Sequence, residues 1–545
     1  MQKIKIFWRK MTSYQKGLFL VFLTWGSYFA WLFPRTLFRS AEGVWAGGGN
    51  VWADWAAHFS LAMPFARGNL IESLSFHPFF WGQKLTYPFL VDAFSGLLIR
   101  FGVEDLLSFW LPSLFIALFL LWVLYKTAFH YSRSILQSFL IITIFLASGG
   151  LGFVFFLKDF SLDRRAIFAP PQEYTHIEKE GIFYINTVSS EIVPQRTFPL
   201  GMALSLLIIS FWIGWLKTNF KNVGKKSIFL SGILSGLMPI AHTHSFLVLF
   251  LAGGLFFLWN WQNWKKWLLV VLGASLSFLP IYCWFYAGQL SSGFFSWHPG
   301  WMANNPPFFG NFVSFWFLNW GIFLPLAFFS AWKTKFFKEP IFVLGLLLFA
   351  LSNLFLFQPW EWDNSKILTF SHFFLALPVG IYLGRQIRKN FWRGLVAIIC
   401  LEILTFSGFL DLYRVMRIEE RKSLLWSQEE LSLAENFRKI SLPGDLVLTS
   451  DQHNHFIPTL TGARILMSYR GWLLSYGIDF AKVEKDVWSM YSGTAEGDQL
   501  LKKYGIKFVV IGPSEKREWQ ANEKYFLRKY PVVLETSHYK IFKIE

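Results

Sequence analysis

The chain has 545 residues, of which 54% are hydrophobic and 16% are charged, with a mean hydropathy of +0.38. This composition excludes an ordinary soluble protein, and the 64 Phe and 28 Trp indicate membrane spans and their interfaces. The net charge of +17 lies mostly in short clusters between apolar runs, a pattern of membrane-orientation signals that argues against a nucleic-acid partner. Both cysteines lie in apolar runs, so no disulfide framework or Cys-based metal site is expected.

Apolar runs long enough to cross a bilayer recur along most of the chain, and we predict about eleven spans. A shorter run, 227–241, is expected to form a hairpin with 243–260. The remaining predicted spans lie at about 17–34, 106–126, 135–157, 197–216, 266–287, 311–331, 340–357, 366–384 and 393–412.

Lys and Arg in short loops predict the orientation of the spans. The N-terminal segment carries Lys3, Lys5, Arg9, Lys10 and Lys16, which places it in the cytoplasm. Basic clusters between later spans then fall on the same side. The loop 35–105 and the C-terminal region are therefore expected outside a cell membrane, provided that 88–104 does not cross the bilayer alone.

The composition changes near residue 425. We predict a transmembrane domain over 1–424 and a small extracytoplasmic α/β domain over 425–545, so the fold class is a mainly α, polytopic helical membrane protein. A helix is expected at 428–440. Strands are expected at 445–449 and 507–512, followed by a closing hairpin of 530–535 with 538–544.

Asp54 and His58 follow the first span and, being four residues apart, share one face of a helix. Asp54 could accept a proton from a hydroxyl or help to bind a divalent cation. The alternative is a solvated acid that caps the helix running toward Arg67. His58 taken alone is more often structural than functional.

Two further segments combine charge with predicted membrane contact. Asp92 lies in an apolar run, where an acid is costly and usually has a partner or a function. Gln195 and Arg196 enter a predicted span, and an Arg at that depth can hold a phosphate with two hydrogen bonds or simply reach the interface. Arg165, in the preceding loop, is expected to be more exposed.

The stretch 358–366 is dense in Trp, acid and amide side chains. Trp362, Asp363 and Asn364 immediately precede a span that starts near Lys366. One interpretation is an aromatic belt with an Asp–Lys pair. The other is a platform on which indole rings stack against a sugar while polar groups bind its hydroxyls and a phosphate.

Two pairs of histidines are candidates for ligands. His242 and His244 lie at a span boundary, where they could contact a substrate or a metal. We favour polar contacts at a broken helix tip, because no third metal ligand lies nearby. His453 and His455 could also be metal ligands, but the polarity of the loop explains this pair better. No phosphate-binding loop of the Walker type and no GxGxxG is present, so a nucleotide-fuelled mechanism is not supported.

The chain resembles the GT-C superfamily of polytopic membrane glycosyltransferases. The resemblance rests on Asp54 within 52–58 after the first span, the many further spans and the predicted outer α/β domain. The WWDYG signature of oligosaccharyltransferases is not present, and the sequence at 471–477 resembles it only weakly. The carboxylate is also a single Asp54, whereas some members carry paired acids.

The resemblance implies an inverting hexosyltransferase-type reaction in glycan biosynthesis of the cell envelope. The donor would be a sugar on a polyprenyl phosphate, and the acceptor a glycan, lipid or protein. Asp54 would act as general base, while Arg196 and Lys366, with Arg165, would neutralise the leaving phosphate. A divalent cation, Mg²⁺ or Mn²⁺, is the one cofactor left open.

Two other functions fit the same pattern. A transporter or a flippase for lipid-linked glycans would also use broken helices and polar groups in the membrane, although no inverted repeat is apparent. A non-catalytic scaffold of cell-envelope assembly is the third alternative.

Overall fold

A computed structural model of the protein describes residues 9–48, 51–286 and 295–544, so Lys3 and Lys5 lie outside the described residues. The described chain is mainly helical. Its helices up to the last apolar one are α1 Ser13–Thr36, α2 Trp52–Arg67, α3 Leu70–Leu74, α4 Leu90–Arg100, α5 Leu107–Ser132, α6 Ile135–Leu146, α7 Phe153–Leu162, α8 Thr197–Lys217, α9 Lys225–Gly236, α10 Met238–Ala241, α11 Thr243–Trp259, α12 Trp264–Ile281, α13 Phe312–Trp320, α14 Phe323–Thr334, α15 Pro340–Ser352, α16 Ser365–Ile387 and α17 Phe391–Val415.

Six described helices are long and apolar enough to cross a bilayer: α1, α5, α8, α12 with its flanking turns, α16 and α17. The helices α13 and α14 would form a seventh span, bent by 82°. Gly321 lies at the bend with a φ of +58°, which glycine adopts without strain. Three shorter apolar helices, α6, α11 and α15, accompany them. The fold is that expected of a multi-pass membrane protein, and the count of eleven spans stays a prediction.

The loop after α1 folds into short elements rather than a further span. Strands β1 Leu37–Ser40 and β2 Gly43–Ala46 form an antiparallel hairpin, and α2, α3 and α4 follow. The helix α4 has 11 residues and is about 16 Å long, which is too short for a hydrocarbon core of about 30 Å. The segment 88–104 therefore does not cross the bilayer alone, as the predicted topology requires.

The helices α2 and α4 approach each other closely at Gly96. A Cβ atom at this position would lie 2.4 Å from the carbonyl oxygen of Ala62, so only glycine permits the contact. The approach buries Asp92 on α4 against His58 on α2. A feature of the backbone thus sets the geometry of charged residues near Asp54.

The C-terminal region forms a five-stranded mixed sheet of β6 Leu446–Leu448, β7 Arg464–Ile465, β8 Ile506–Ile511, β9 Val532–Glu535 and β10 Lys540–Lys543. The strand order is β7-β6-β8-β10-β9. The pairs β7–β6 and β6–β8 are parallel, and β10 is antiparallel to β8 and β9. The helix α18, Gln428–Ile440, begins with a capping box, in which the side chains of Ser427 and Glu430 each accept the other residue's backbone N–H. The other elements of this region are β5 Ser423–Ser427, α19 Arg470–Ser475, α20 Ala481–Ser492, α21 Ala495–Tyr504, α22 Pro513–Glu518 and α23 Glu523–Lys529.

This region is joined to the loop after α1 by backbone hydrogen bonds. Strand β5, which lies across the predicted boundary at 424/425, pairs with β2. The N–H of Trp81 donates to the carbonyl of Leu466 (2.9 Å), and the N–H of Ser468 donates to the carbonyl of Phe79 (2.8 Å). These contacts place the following segment, 470–479, against the loop. A two-stranded pairing of β3 Ser296–Trp297 with β4 Phe355–Leu356 lies elsewhere.

Candidate active site

Asp54 lies in the first turn of α2, where the helix dipole favours a carboxylate. The side-chain amide of Gln195 donates a hydrogen bond to its Oδ1 at 3.0 Å. Burial raises the pKa of Asp54 to about 6, although the charges of His58 and Lys366 act in the opposite direction. A carboxylate with such a pKa is ionised at neutral pH and is a stronger base than an exposed Asp.

One large cavity, of about 1680 Å³, opens beside Asp54. Seven of the residues predicted from the sequence line it. They come from α2, from the segment before α8, from the tip between α10 and α11, and from the start of α16. These residues are Asp54, His58, Gln195, His242, His244, Asp363 and Lys366.

The cation in this cavity is held by a neighbouring acid. Lys366 Nζ donates to Asp363 Oδ1 at 2.7 Å, and both side chains are largely buried. The pair is thus anchored at the start of α16 but still faces the cavity. An anion that enters can interact with the ammonium group, which has two further protons to donate.

The two histidines at the helix tip have different surroundings. His242 caps α11, because its Nδ1 accepts the N–H of Ser245 at 3.2 Å. His244 is buried, and its Nε2 has no hydrogen-bond partner among the described residues. A buried nitrogen without a partner is costly, so His244 is suited to receive a polar group of a ligand.

Arg196 does not face the cavity, which corrects its expected role in binding phosphate. It is fully buried, and its guanidinium donates to Asp92 Oδ1 (2.6 Å) and to the hydroxyls of Ser95 (2.6 Å) and Ser113 (2.9 Å). It also lies over the ring of Phe109 at 4.8 Å. Asp92 is likewise absent from the cavity lining and serves as the buried counterion.

Three other candidates also lie away from the cavity lining. Arg165 is exposed and pairs with Asp163, so it is not placed to bind a leaving phosphate. Asn364 is buried, and its amide donates to the carbonyl oxygens of Ser352 at the end of α15 (2.9 Å) and of Phe355 (2.7 Å). Trp362 packs near Trp301 rather than forming a sugar platform in the cavity.

The structure adds residues that sequence reasoning missed. Tyr87 and Tyr476 line the cavity with ring centroids 5.8 Å apart, and burial raises the pKa of both hydroxyls, which keeps them neutral donors. Glu191 is buried near Lys366, and Ser365 donates to its Oε1 at 2.7 Å. Burial raises the pKa of Glu191 to about 7. The weak likeness of 471–477 to the WWDYG signature was the one sequence signal for these residues, and this segment contains Tyr476.

From its polar end the cavity continues into an apolar groove along α11 and α12. Phe250 and Leu258 on α11, and Trp264 and Val271 on α12, line it, and each is at least half exposed. Large exposed apolar side chains on spanning helices face lipid. The groove therefore connects the polar end near Asp54 with an exposed apolar surface of α11 and α12.

The described side chains around Asp54 do not form a set of ligands for a divalent cation. Among the described residues, no group of three or more His, Cys, Asp or Glu is arranged to hold a metal ion. Asp54 Oδ1 accepts from the amide of Gln195, and Asp363 Oδ1 accepts from Lys366, so these oxygens face donors. The chemistry below is therefore assigned to the side chains of the chain alone.

Comparisons with known proteins find similar structures but no similar sequence. No protein-family profile matches the chain, and no curated protein sequence matches it. The crystal structure of the Archaeoglobus fulgidus oligosaccharyltransferase tethered to an acceptor peptide has a TM-score of 0.52 and 12% identity, and the match covers 93% of this chain and 70% of that one.

The second similar protein is ArnT from Cupriavidus metallidurans. Its apo structure has a TM-score of 0.52 and 11% identity, with 97% of this chain and 98% of that chain covered. Its structure bound to undecaprenyl phosphate has a TM-score of 0.50 and 10% identity, with 96% and 97% covered. Both proteins belong to the GT-C superfamily, so the resemblance predicted from the sequence is confirmed at the level of the fold.

Proposed function

We propose that the protein is a multi-pass membrane glycosyltransferase that moves a sugar from a polyprenyl-phosphate donor to an acceptor. The observation that carries this proposal is the continuity of the cavity. A single space joins Asp54 and Lys366 to an apolar groove that faces lipid. A donor that is polar at one end and isoprenoid at the other fits a site of this shape.

The groove is matched to a long lipid chain. The helix α11 has 17 residues and offers about 25 Å of wall. Gly253 and Gly254 on this helix also line the groove. The similar ArnT structure contains undecaprenyl phosphate, which supports the same class of donor here.

The polar end supplies the groups for an inverting transfer. Asp54 accepts the proton of the acceptor hydroxyl while the hydroxyl oxygen forms the new bond to the anomeric carbon. The bond from that carbon to the phosphate oxygen breaks on the opposite side. Lys366 and the Nε2–H of His244 then stabilise the charge on the departing polyprenyl phosphate. The proton thus goes to Asp54, while Lys366 and His244 hold the leaving group.

We further propose that the site faces the outside of a cell membrane. The basic loops place the N-terminus in the cytoplasm, and eleven spans would then put α2, the segment before α8 and the C-terminal α/β region on the outer side. The acceptor, a glycan, lipid or protein, would approach beside 470–479, because Trp472 and Tyr476 line the cavity. An acceptor peptide is tethered to the similar oligosaccharyltransferase.

The test is transfer by the purified protein in liposomes, with synthetic polyprenyl-phosphate sugars labelled in the sugar. The expected products are a labelled acceptor and free polyprenyl phosphate in equal amounts. A flippase would move the donor between leaflets without breaking its sugar–phosphate bond. Movement of intact donor with no free polyprenyl phosphate would therefore contradict the proposal.

The pH dependence of this transfer follows from Asp54. Because burial raises its pKa to about 6, the base is ionised above pH 7 and becomes protonated as the pH falls through 6. We expect kcat/KM to be flat from pH 7 to 8 and to fall about tenfold per unit below 6. Activity must return at pH 8 to exclude unfolding, and a flat profile down to pH 4.5 would contradict the role of Asp54.

A further inference from the structure

His58 is surrounded in a way that fixes its protonation. Its Nδ1 lies 3.0 Å from Asp92 Oδ2, and its Nε2 lies 3.2 Å from the carbonyl oxygen of Pro194. A carbonyl oxygen can only accept a hydrogen bond. A neutral imidazole carries one N–H, so it could satisfy only one of these two partners if Asp92 is ionised.

The surroundings of Asp92 show that it is ionised. Its other oxygen, Oδ1, accepts from the guanidinium of Arg196 at 2.6 Å, and both side chains are fully buried. An Arg side chain does not lose its charge in a protein, and a neutral acid would leave that charge unpaired. Both nitrogens of His58 therefore face acceptors and both carry a proton.

The segment 194–196 is fixed at both ends and orients the proposed base, Asp54, through Gln195. His58 binds the carbonyl of Pro194, and Arg196 is fixed by the groups around Asp92. Gln195 lies between the two anchored residues, and its amide binds Asp54 Oδ1 at 3.0 Å. The position of this amide depends on both neighbours. Oδ2 of Asp54 is the oxygen left for the acceptor hydroxyl.

We propose that His58 is a charged positioning residue, an imidazolium that locks the 194–196 segment so that Gln195 orients Asp54. The proposal rests on the proposed function for its kinetic consequences, but its geometry does not. His58 touches neither donor nor acceptor in this role. It acts through Gln195 and through its positive charge four residues from Asp54 on the same helix.

The charge of His58 is one of several that face Asp54. Burial raises the pKa of Asp54, and His58 opposes this more strongly than Lys366 does. The groups around Asp54 also include three acids and two hydroxyls on other elements. Those groups are Asp92 on α4, Asp363 before α16, Tyr87 and Tyr476, with Glu191 before α8.

The central test is a pair of variants, His58→Gln and His58→Gln with Asp92→Asn. In the single variant the Gln amide can donate to Pro194, but its oxygen then faces the Asp92 carboxylate. In the double variant the Asn amide donates to that oxygen, while the Asn oxygen still accepts from Arg196. We expect kcat to fall about 10- to 100-fold in the single variant, with KM nearly unchanged, and to recover to within about fivefold in the double variant.

The pH profile separates positioning from simple loss of structure. The single variant lacks the imidazolium, so its acid midpoint of kcat/KM is expected to rise by about half to one pH unit. The double variant also lacks the Asp92 carboxylate, so its midpoint should rise less. His372→Gln is the matched control, because His372 is an equally buried histidine packed against Phe323 and Trp320, away from the cavity lining. Its midpoint should stay at the wild-type value.

A measurement without turnover completes the test. Solid-state ¹⁵N NMR of the protein in lipid at pH 7.5 should show one charged imidazole that is absent from His58→Gln. In Asp92→Asn the amide donates to Nδ1, so the same ring should become neutral. A neutral His58 in the wild type, or a single variant with unchanged kcat and midpoint, would overturn the proposal. Absence of transfer by the wild type would instead refute the proposed function, and the NMR result would still decide the charge of His58.

Discussion

Asp54→Asn is expected to lower kcat for sugar transfer by about 10²–10⁴-fold, because an amide cannot take the proton of the acceptor hydroxyl. The change keeps the size of the side chain and leaves an oxygen that can still accept from Gln195. Binding of polyprenyl phosphate should therefore change by less than about threefold. Single-turnover transfer of labelled sugar in liposomes measures the rate, and lipid binding reports the integrity of the site.

Asp163→Asn is the matched control for this substitution. Asp163 is exposed, it caps a short helical turn, and asparagine caps equally well. Its loss of charge should leave kcat within about twofold of the wild type. If Asp54→Asn retains more than a tenth of the wild-type rate, another group is the base.

Lys366→Met is expected to reduce kcat by about 10²–10³-fold, because the departing phosphate loses the ammonium group that faces it. The side chain of Met has a similar length, so the start of α16 should keep its packing. The rate of release of free polyprenyl phosphate is the measurement. A shorter or more acidic leaving group, such as a fluorinated phosphonate, should lessen the loss.

Two variants distinguish catalysis from the ion pair with Asp363. The double variant Lys366→Met with Asp363→Asn removes both charges of the pair, so Asp363 is not left as an unpaired acid. It should be as slow as the single variant if Lys366 binds phosphate. Recovery of activity in the double variant would mean that Lys366 only compensates Asp363. Lys422→Met, which breaks a similar pair with Glu419 away from the cavity, should be nearly neutral.

Several residues that line the cavity could be named from the sequence. Asp54, Gln195, His244 and Lys366 each lie at or near the end of a predicted span, on the side that the basic loops predict to be outside. The orientation deduced from Lys and Arg predicted that they converge, and the cavity brings them together. That inference needed only the order and polarity of the segments.

The direction of side chains could not be read in the same way. Arg196 and Gln195 are adjacent in the sequence, yet the guanidinium points to Asp92 and the amide to Asp54. The partner of Arg196 depends on the close packing of α4 on α2, which Gly96 permits. No single-sequence pattern reports such a tertiary contact, so Arg196 was wrongly assigned to phosphate.

Local elements were easier to predict than the membrane region. The capping box at Ser427 and the β-branched run of β8 carry strong local signals, and both elements lie where predicted. The groove between α11 and α12 depends on how two apolar helices diverge. Their sequences are apolar on all sides, so hydropathy alone does not indicate which face lines a cavity.

In the proposed function, one cavity holds a polyprenyl-phosphate donor with its phosphate at Lys366 and its chain in the groove. A cryo-EM map of the protein in lipid nanodiscs with added polyprenyl phosphate would locate this lipid. We expect density for the phosphate within about 3 Å of Lys366 Nζ. The isoprenoid chain should run along α11 and α12. Lipid density that leaves this cavity empty, with the phosphate bound elsewhere, would contradict it.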